Sequence, residues 1–134
     1  MKTIRVAAAI IVRNNRIFAT QRGYGEFRDF WEFPGGKIEA GEDPRDTIKR
    51  EIREELAADV TPLEHFTTVE YDYPEFHLSM ECYLTRLNSG TVTLLEHEAA
   101  RWLAREELMS VNWLPADLSI IADLEKASFT MPEV

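Results

Sequence analysis

Between Pro44 and Ala58 the chain reads PRDTIKREIREELAA, and a helix sorts those side chains into three coherent stripes. At about 3.6 residues per turn, each residue advances about 100° around the axis. With Glu51 set at zero, Glu54 falls at about −60° and Glu55 at about +40°, so the three carboxylates share one face. Ile48, Ile52 and Leu56 fall at about 60°, 100° and 140°, an apolar stripe suited to a core. Asp46, Lys49 and Arg53 take a third, solvent-facing stripe near 160° to 220°, by the same roughly 100° step. Pro44 sits near the first helical position, where its missing N–H costs nothing, and Glu42 and Asp43 lie just ahead, where the helix dipole favours negative charge. A helix so patterned must bury its apolar stripe against another layer.

The rest of the chain supplies that layer as strands. Thr3 to Arg13 reads as a buried strand, Asn14-Asn15 as a tight turn that tolerates positive φ, and Arg16 to Gln21 as the hairpin partner. Arg22 to Gly36 (RGYGEFRDFWEFPGG) has no clean period and is expected to be a long loop with a short strand from Trp31 to Phe33. Two strands are expected at His65 to Tyr73 and His77 to Leu87, joined at residues 74–76, with a turn at 88–90. Further expectations are a short strand beginning at Thr91, another at Ala100 to Ala104, and a helical turn at 105–108. A final helix over 115–127 would place Leu118, Ile121 and Leu124 on one stripe. The expected fold is α+β, a mixed β-sheet between helices, in one domain over 1–130 with 131–134 as a tail.

Charge narrows the function. The 134 residues carry a formal net charge of −9, which disfavours a polymeric nucleic-acid partner. A single phosphorylated metabolite is compatible, because a bound divalent cation inverts the local field. The one cysteine, Cys82, allows no intrachain disulfide and reads as a buried apolar residue. The apolar run Val6–Val12 is short, Arg13 closes it and no small-residue cleavage site follows, so a soluble, cytoplasmic protein without membrane contact is expected.

The three carboxylates admit two readings, a solvated acidic face or a cation site. Like charges at i,i+3 and i,i+4 destabilise a helix by a few tenths of a kcal/mol each, about 0.2–0.5, and a hard cation such as Mg²⁺ removes that cost. The residues ahead of the helix extend the pattern. GKIEAGEDPRDTIKREIREELAA (36–58) resembles the Nudix box, G-x5-E-x7-R-E-U-x-E-E-x-G-U with U a bulky aliphatic. Gly36, Glu42, Arg50, Glu51, Ile52, Glu54 and Glu55 match at the required spacings. Ala57 stands where the family has glycine and Ala58 where it has the aliphatic, a departure that touches the end of the helix rather than the carboxylates. The likeness to the MutT-like branch runs from Val6 to about Leu124.

That resemblance implies Mg²⁺, or Mn²⁺, ligated by the Gly35 carbonyl, Glu51, Glu54, Glu55 and a later loop acid, Glu96 in preference to Glu98. Glu51 is either a ligand or the general base, held by Arg50. Arg22 and Lys37 are candidate phosphate contacts, the less favoured alternative for each being a solvated surface cation, and Glu42 is expected to support the loop. His97 is expected to be structural. Phe33, Tyr73 and Phe76 are candidate walls of a base pocket. Asp117 stands where 8-oxo-dGTP enzymes of the branch carry Asn and CTP pyrophosphohydrolases carry Asp. An ionised Asp only accepts, which suits the cytosine exocyclic amine, but Asp117 could instead simply cap the last helix.

The implied reaction is hydrolysis of a nucleoside triphosphate to monophosphate and pyrophosphate by a monomer or homodimer. CTP, dCTP or a modified cytidine triphosphate is favoured over 8-oxo-dGTP. Hydrolysis of ADP-ribose or a dinucleoside polyphosphate is a further enzyme reading, and a non-catalytic nucleotide-sensing module is the alternative of another class.

Overall fold

A computed structural model describes residues 1–88 and 91–126. Its strands are β1 (Lys2–Arg13), β2 (Arg16–Arg22), β3 (Trp31–Glu32), β4 (Gly35–Lys37), β5 (Val60–Asp72), β6 (Phe76–Leu87) and β7 (His97–Leu103). Helix α1 spans Pro44–Leu56 and α2 spans Leu118–Lys126, with 3-10 turns at Arg105–Ser110 and Pro115–Asp117. The seven-stranded sheet runs β3-β2-β1-β6-β5, with β4 added on β1 and β7 on β2. β1 pairs with β6 in parallel and with β2 and β4 antiparallel, so the sheet is mixed as expected.

β1 is central because both of its faces are apolar. Ala7, Ala9 and Ile11 point to one side, where Ile48, Ile52 and Leu56 of α1 cover them with Phe18 and Tyr83. Ala8, Ile10 and Val12 point to the other, against Ile17, Leu103, Trp113, Ile120, Ile121 and Leu124. The α1 stripe read from periodicity is the buried one, and Asp43 caps the helix by accepting from the Arg45 N–H.

Several expectations shift. β5 begins at Val60 rather than His65, and bulges at Pro62/Glu64 and His65/Thr67 break the alternation that would have revealed it. Gly35–Lys37, placed in a loop from sequence, is a strand on β1. No strand forms at Thr91. The Thr93 and Leu95 N–H groups instead donate to the Leu56 and Glu55 carbonyls, satisfying acceptors that the end of α1 leaves open. The expected final helix starts as a 3-10 turn and becomes α-helical at Leu118; at about 100° per residue Ile120, Ile121 and Leu124 share one buried arc centred near Leu124, and Leu118, about 120° from that centre, is exposed. The tail at 131–134 and most of the turn at 88–90 lie outside the described residues. Among those described, no helix is long and apolar enough to cross a membrane.

Candidate active site

Burying the isoleucine stripe of α1 on β1 leaves Glu51, Glu54 and Glu55 along the edge of the sheet, beside β4. The two glycines of β4 permit that approach. A Cβ on Gly36 would lie 2.3 Å from the Glu51 carboxyl carbon, and one on Gly35 would lie 2.0 Å from the Ala7 carbonyl oxygen. Only glycine lets the loop backbone lie against the helix carboxylate and the central strand together.

Arg50 organises this corner. Its Nε and Nη2 donate to the two Glu42 oxygens, each at 3.0 Å, Nη1 donates to Glu51 Oε1 at 2.7 Å, and Nη2 reaches the Lys37 carbonyl at 3.1 Å. Glu42 also accepts from the Thr47 hydroxyl at 2.7 Å and the Glu39 N–H at 3.1 Å. Those donors, Arg50 first, hold the Glu42 carboxyl down to about 2, and with its oxygens engaged it supports the loop, as the sequence suggested. Burial raises the Glu51 pKa against the pull of Arg50.

On the far side of the helix face a polar cleft of about 550 Å³ is lined by Arg22, Lys37, Glu55, Glu96 and His97, with the Gly23–Gly25 segment at its rim. Glu96 reaches it because the 93–95 backbone docks on the end of α1. Glu98 does not line it, and the neighbouring Asp29 carboxyl raises its pKa. Glu55 is 12% exposed, and its Oε1 lies 3.4 Å from His97 Nε2. Burial, then the neighbouring Glu51 and Glu96, pushes its carboxyl up to about 9, while burial lowers the His97 pKa and keeps that ring neutral.

The donor set fits a hard divalent cation. Glu51, Glu54, Glu55 and Glu96 are oxygen donors on adjoining walls, and Glu55 Oε2 is buried with no hydrogen-bond partner. Among the described residues no three such side chains converge as they stand. Glu51 is drawn to Arg50, Glu55 faces His97, and Glu54 is 57% exposed.

An apolar pocket of about 240 Å³ adjoins the cleft, and the two share Arg22, Glu26, Glu32 and Gly35. The predicted Phe33, Tyr73, Phe76 and Asp117 all line it. Phe33 stacks on Trp113 at 4.8 Å and Tyr73 on Phe76 at 5.1 Å. Trp31 pairs with the 112–114 segment, its N–H donating to the Asn112 carbonyl and its carbonyl accepting from Leu114, which carries Asp117 to the pocket floor.

Asp117 does not cap a helix. Its Oδ2 accepts from the Phe33 N–H at 3.3 Å, across the fold. Burial, reinforced by Glu32, pushes the carboxyl up to about 8, so at neutral pH it is an acid that donates as well as accepts. The acceptor-only behaviour expected from the residue type gives way to burial.

Arg22 is engaged rather than free. It forms a bidentate pair with Glu32 at 3.1 and 2.8 Å, and Nη1 donates to the Glu26 carbonyl at 3.2 Å. That clasp holds the loop that delivers Phe27, whose ring lies 5.5 Å from Tyr73 and whose φ is +64°. Sequence reasoning missed Phe27, Glu26 and Glu32. A positive φ at a bulky residue has no sequence signature, although the aromatic density of residues 22–33 marks the region. Cys82 is fully buried, and burial raises its thiol pKa, consistent with a packing role.

Comparison with known proteins agrees with this geometry. An 8-oxo-dGTP diphosphatase of Escherichia coli is 32% identical over 128 residues, covering 94% of this chain and 99% of the relative. A CTP pyrophosphohydrolase of the same organism is 33% identical over 122 residues, covering 90% of each. The solution structure of the E. coli ORF135 protein superposes with a TM-score of 0.79 at 32% identity, covering 91% of this chain and 88% of that one. Residues 3–124 match the NUDIX domain as a whole, and the chain belongs to the NUDIX family of hydrolases, in its MutT-like branch.

Proposed function

We propose that this protein hydrolyses a nucleoside triphosphate to the monophosphate and pyrophosphate, with a cytidine triphosphate, 5-modified or not, as first candidate. The observation that carries the reading is the pair of joined chambers, one apolar and aromatic, the other polar and acidic. The apolar pocket, about 240 Å³, is smaller than the roughly 300–1,000 Å³ of typical ligand sites. It suits a base alone, and a pyrimidine more easily than a purine. The polar cleft would take the phosphates.

Glu51, Glu54, Glu55, Glu96 and the Gly35 carbonyl would hold Mg²⁺ or Mn²⁺, which supplies charge neutralisation and polarisation of the phosphates when bound. The chain's own residues do the rest. Arg50 fixes the Glu51 carboxylate against Gly36, which suits Glu51 either as a ligand or as the group that takes the proton from the attacking water. Lys37 offers its ammonium to the phosphates. Arg22, at the junction of the chambers, would contact the α-phosphate side if it exchanged part of its pairing with Glu32. Phe33, Tyr73, Phe76 and Phe27 wall the base.

A second substrate reading rests on Asp117. As a neutral acid it can donate to O6 and accept from N7–H of an oxidised guanine just as it can donate to N3 and accept from N4–H₂ of cytosine. 8-oxo-dGTP therefore stands directly behind the cytidine triphosphates.

The test is a nucleotide panel with Mg²⁺ containing CTP, dCTP, 5-methyl-dCTP, 8-oxo-dGTP, ADP-ribose and Ap4A, with pyrophosphate release followed for wild type and Glu54→Gln. A cytidine preference supports the first reading, and 8-oxo-dGTP preference supports the second. Turnover of ADP-ribose or Ap4A alone would refute both. No turnover of any compound by a folded protein would point to a nucleotide-sensing module instead.

A further inference from the structure

We propose that His97 is a positioning residue for Glu55, the imidazole holding one carboxylate oxygen so that the other is presented to a divalent cation in the polar cleft. The inference rests on the cation-site reading above and adds to it a residue outside the box. His97 opens β7 opposite Arg22, where the β2–β7 register shifts between Gln21 and Arg22. The irregularity leaves its side chain on the cleft wall at 7% exposure. Nε2 lies 3.4 Å from Glu55 Oε1.

Two buried side-chain atoms among the described residues have no hydrogen-bond partner, Glu55 Oε2 and His97 Nδ1. A histidine kept only to fill space would satisfy its ring nitrogens within the fold or be replaced by an apolar side chain. Here Nε2 faces Glu55 Oε1 at 3.4 Å and Nδ1 has no partner. Glu55 in turn has one oxygen beside an imidazole and one oxygen unmatched, and metal-binding carboxylates are commonly oriented by an outer partner on the oxygen that does not ligate. The neighbouring docking of 93–95 on the end of α1 brings β7, and so His97, against the carboxylate that the helix alone would leave unsteadied.

The experiment is Mn²⁺ binding to the nucleotide-free protein, read from the free-ion EPR signal, for wild type, His97→Phe, His97→Gln and His97→Asn, alongside Mg²⁺ activation curves. The glutamine amide nitrogen falls near the place of Nε2 and the shorter asparagine amide does not reach it. The expected result is Mn²⁺ affinity reduced about tenfold in His97→Phe and His97→Asn, within the roughly 10–100-fold cost of losing an outer-shell partner, and largely recovered in His97→Gln. The Mg²⁺ half-activation point should move in parallel while the nucleotide KM at saturating Mg²⁺ stays put. Should His97→Phe not fold, the Gln-against-Asn comparison decides alone. Equal affinity in all four proteins, or equal loss in Gln and Asn with the fold intact by circular dichroism, would overturn the inference. A wild type that binds no Mn²⁺ would overturn the cation site itself.

Discussion

Replacing Ala57 by glycine should stabilise the protein. Ala57 follows the last turn of α1 with φ 50° and ψ 36°, in the left-handed region, and its N–H donates to the Arg53 carbonyl at 3.1 Å. An L-residue there costs about 1–2 kcal/mol relative to the right-handed conformation, and glycine escapes that cost at the expense of roughly 0.5–1 kcal/mol of extra freedom in the unfolded chain. The side chain is exposed, so no packing is lost. The net gain is about 0.5–1 kcal/mol, which for a domain of this length raises the melting temperature by about 2–4 °C. Thermal unfolding by circular dichroism and urea titration with an unchanged m-value are the assays. Gly41 serves as the converse, since its φ is +75° and an added Cβ would meet nothing within 4 Å. Gly41→Ala should lower stability by about 1 kcal/mol through the backbone alone. If Ala57→Gly left the midpoint unchanged or lowered it while Gly41→Ala behaved as expected, the left-handed penalty would not be acting at the helix end.

Other expectations address the site. Because burial raises the Asp117 pKa to about 8, the folded state holds a proton that the unfolded chain releases near pH 4. This contribution to stability is complete below the unfolded value of about 4 and is lost as pH rises through 8. Urea midpoints measured from pH 4 to 9 should therefore fall less steeply for Asp117→Asn than for wild type; identical slopes would deny the buried proton. Gly36→Ala should fold yet lose most activity, since its Cβ meets the movable Glu51 carboxylate, whereas Gly35→Ala should fail to fold stably, because its Cβ meets the Ala7 backbone. Equal stability of the two would count against that distinction. Phe27→Ala should raise the nucleotide KM by roughly tenfold with kcat little changed, reflecting a lost stacking contact of about 1–3 kcal/mol; an unmoved KM would remove Phe27 from the pocket wall.

The sequence made α1 legible because its stripes are separated by angle, and the same angles put the carboxylates beside the core rather than out in solvent. Repeating patterns also revealed β1, the β2 hairpin and most of β6. β4 stayed hidden because Gly35 and Gly36 have no side chains to alternate; it exists because the β1 edge accepts a backbone that close. β5 was read short where Pro62 and two bulges interrupt its alternation, and Leu118 was placed in the core because a three-residue spacing drifts about 60° per step, which puts Leu118 about 120° from Leu124. At the site, residue identity singled out Glu55, Glu96 and Asp117, and the fold sets the first two on the polar cleft and the third on the apolar pocket. Residue type alone suggested an ionised Asp117, whereas burial, a property of the assembled fold, raises its pKa to about 8. Phe27 depends on a loop conformation clasped by Arg22, which no spacing encodes.

The parallel pairing of β1 with β6 has a consequence during synthesis. Lys2 to Ile11 find their partners in Phe76 to Thr85, so the most apolar strand leaves the ribosome before its partner and waits for a segment 74 residues further along. Until then the run from Val6 to Val12 has only the β2 hairpin and β4 beside it, and the sheet cannot close. Slow, non-local assembly with an exposed apolar edge is the condition under which nascent chains aggregate. A fragment ending at Tyr73 should accordingly remain unfolded and sticky, and one extended through β6 should be the shortest that protects β1 amides from exchange.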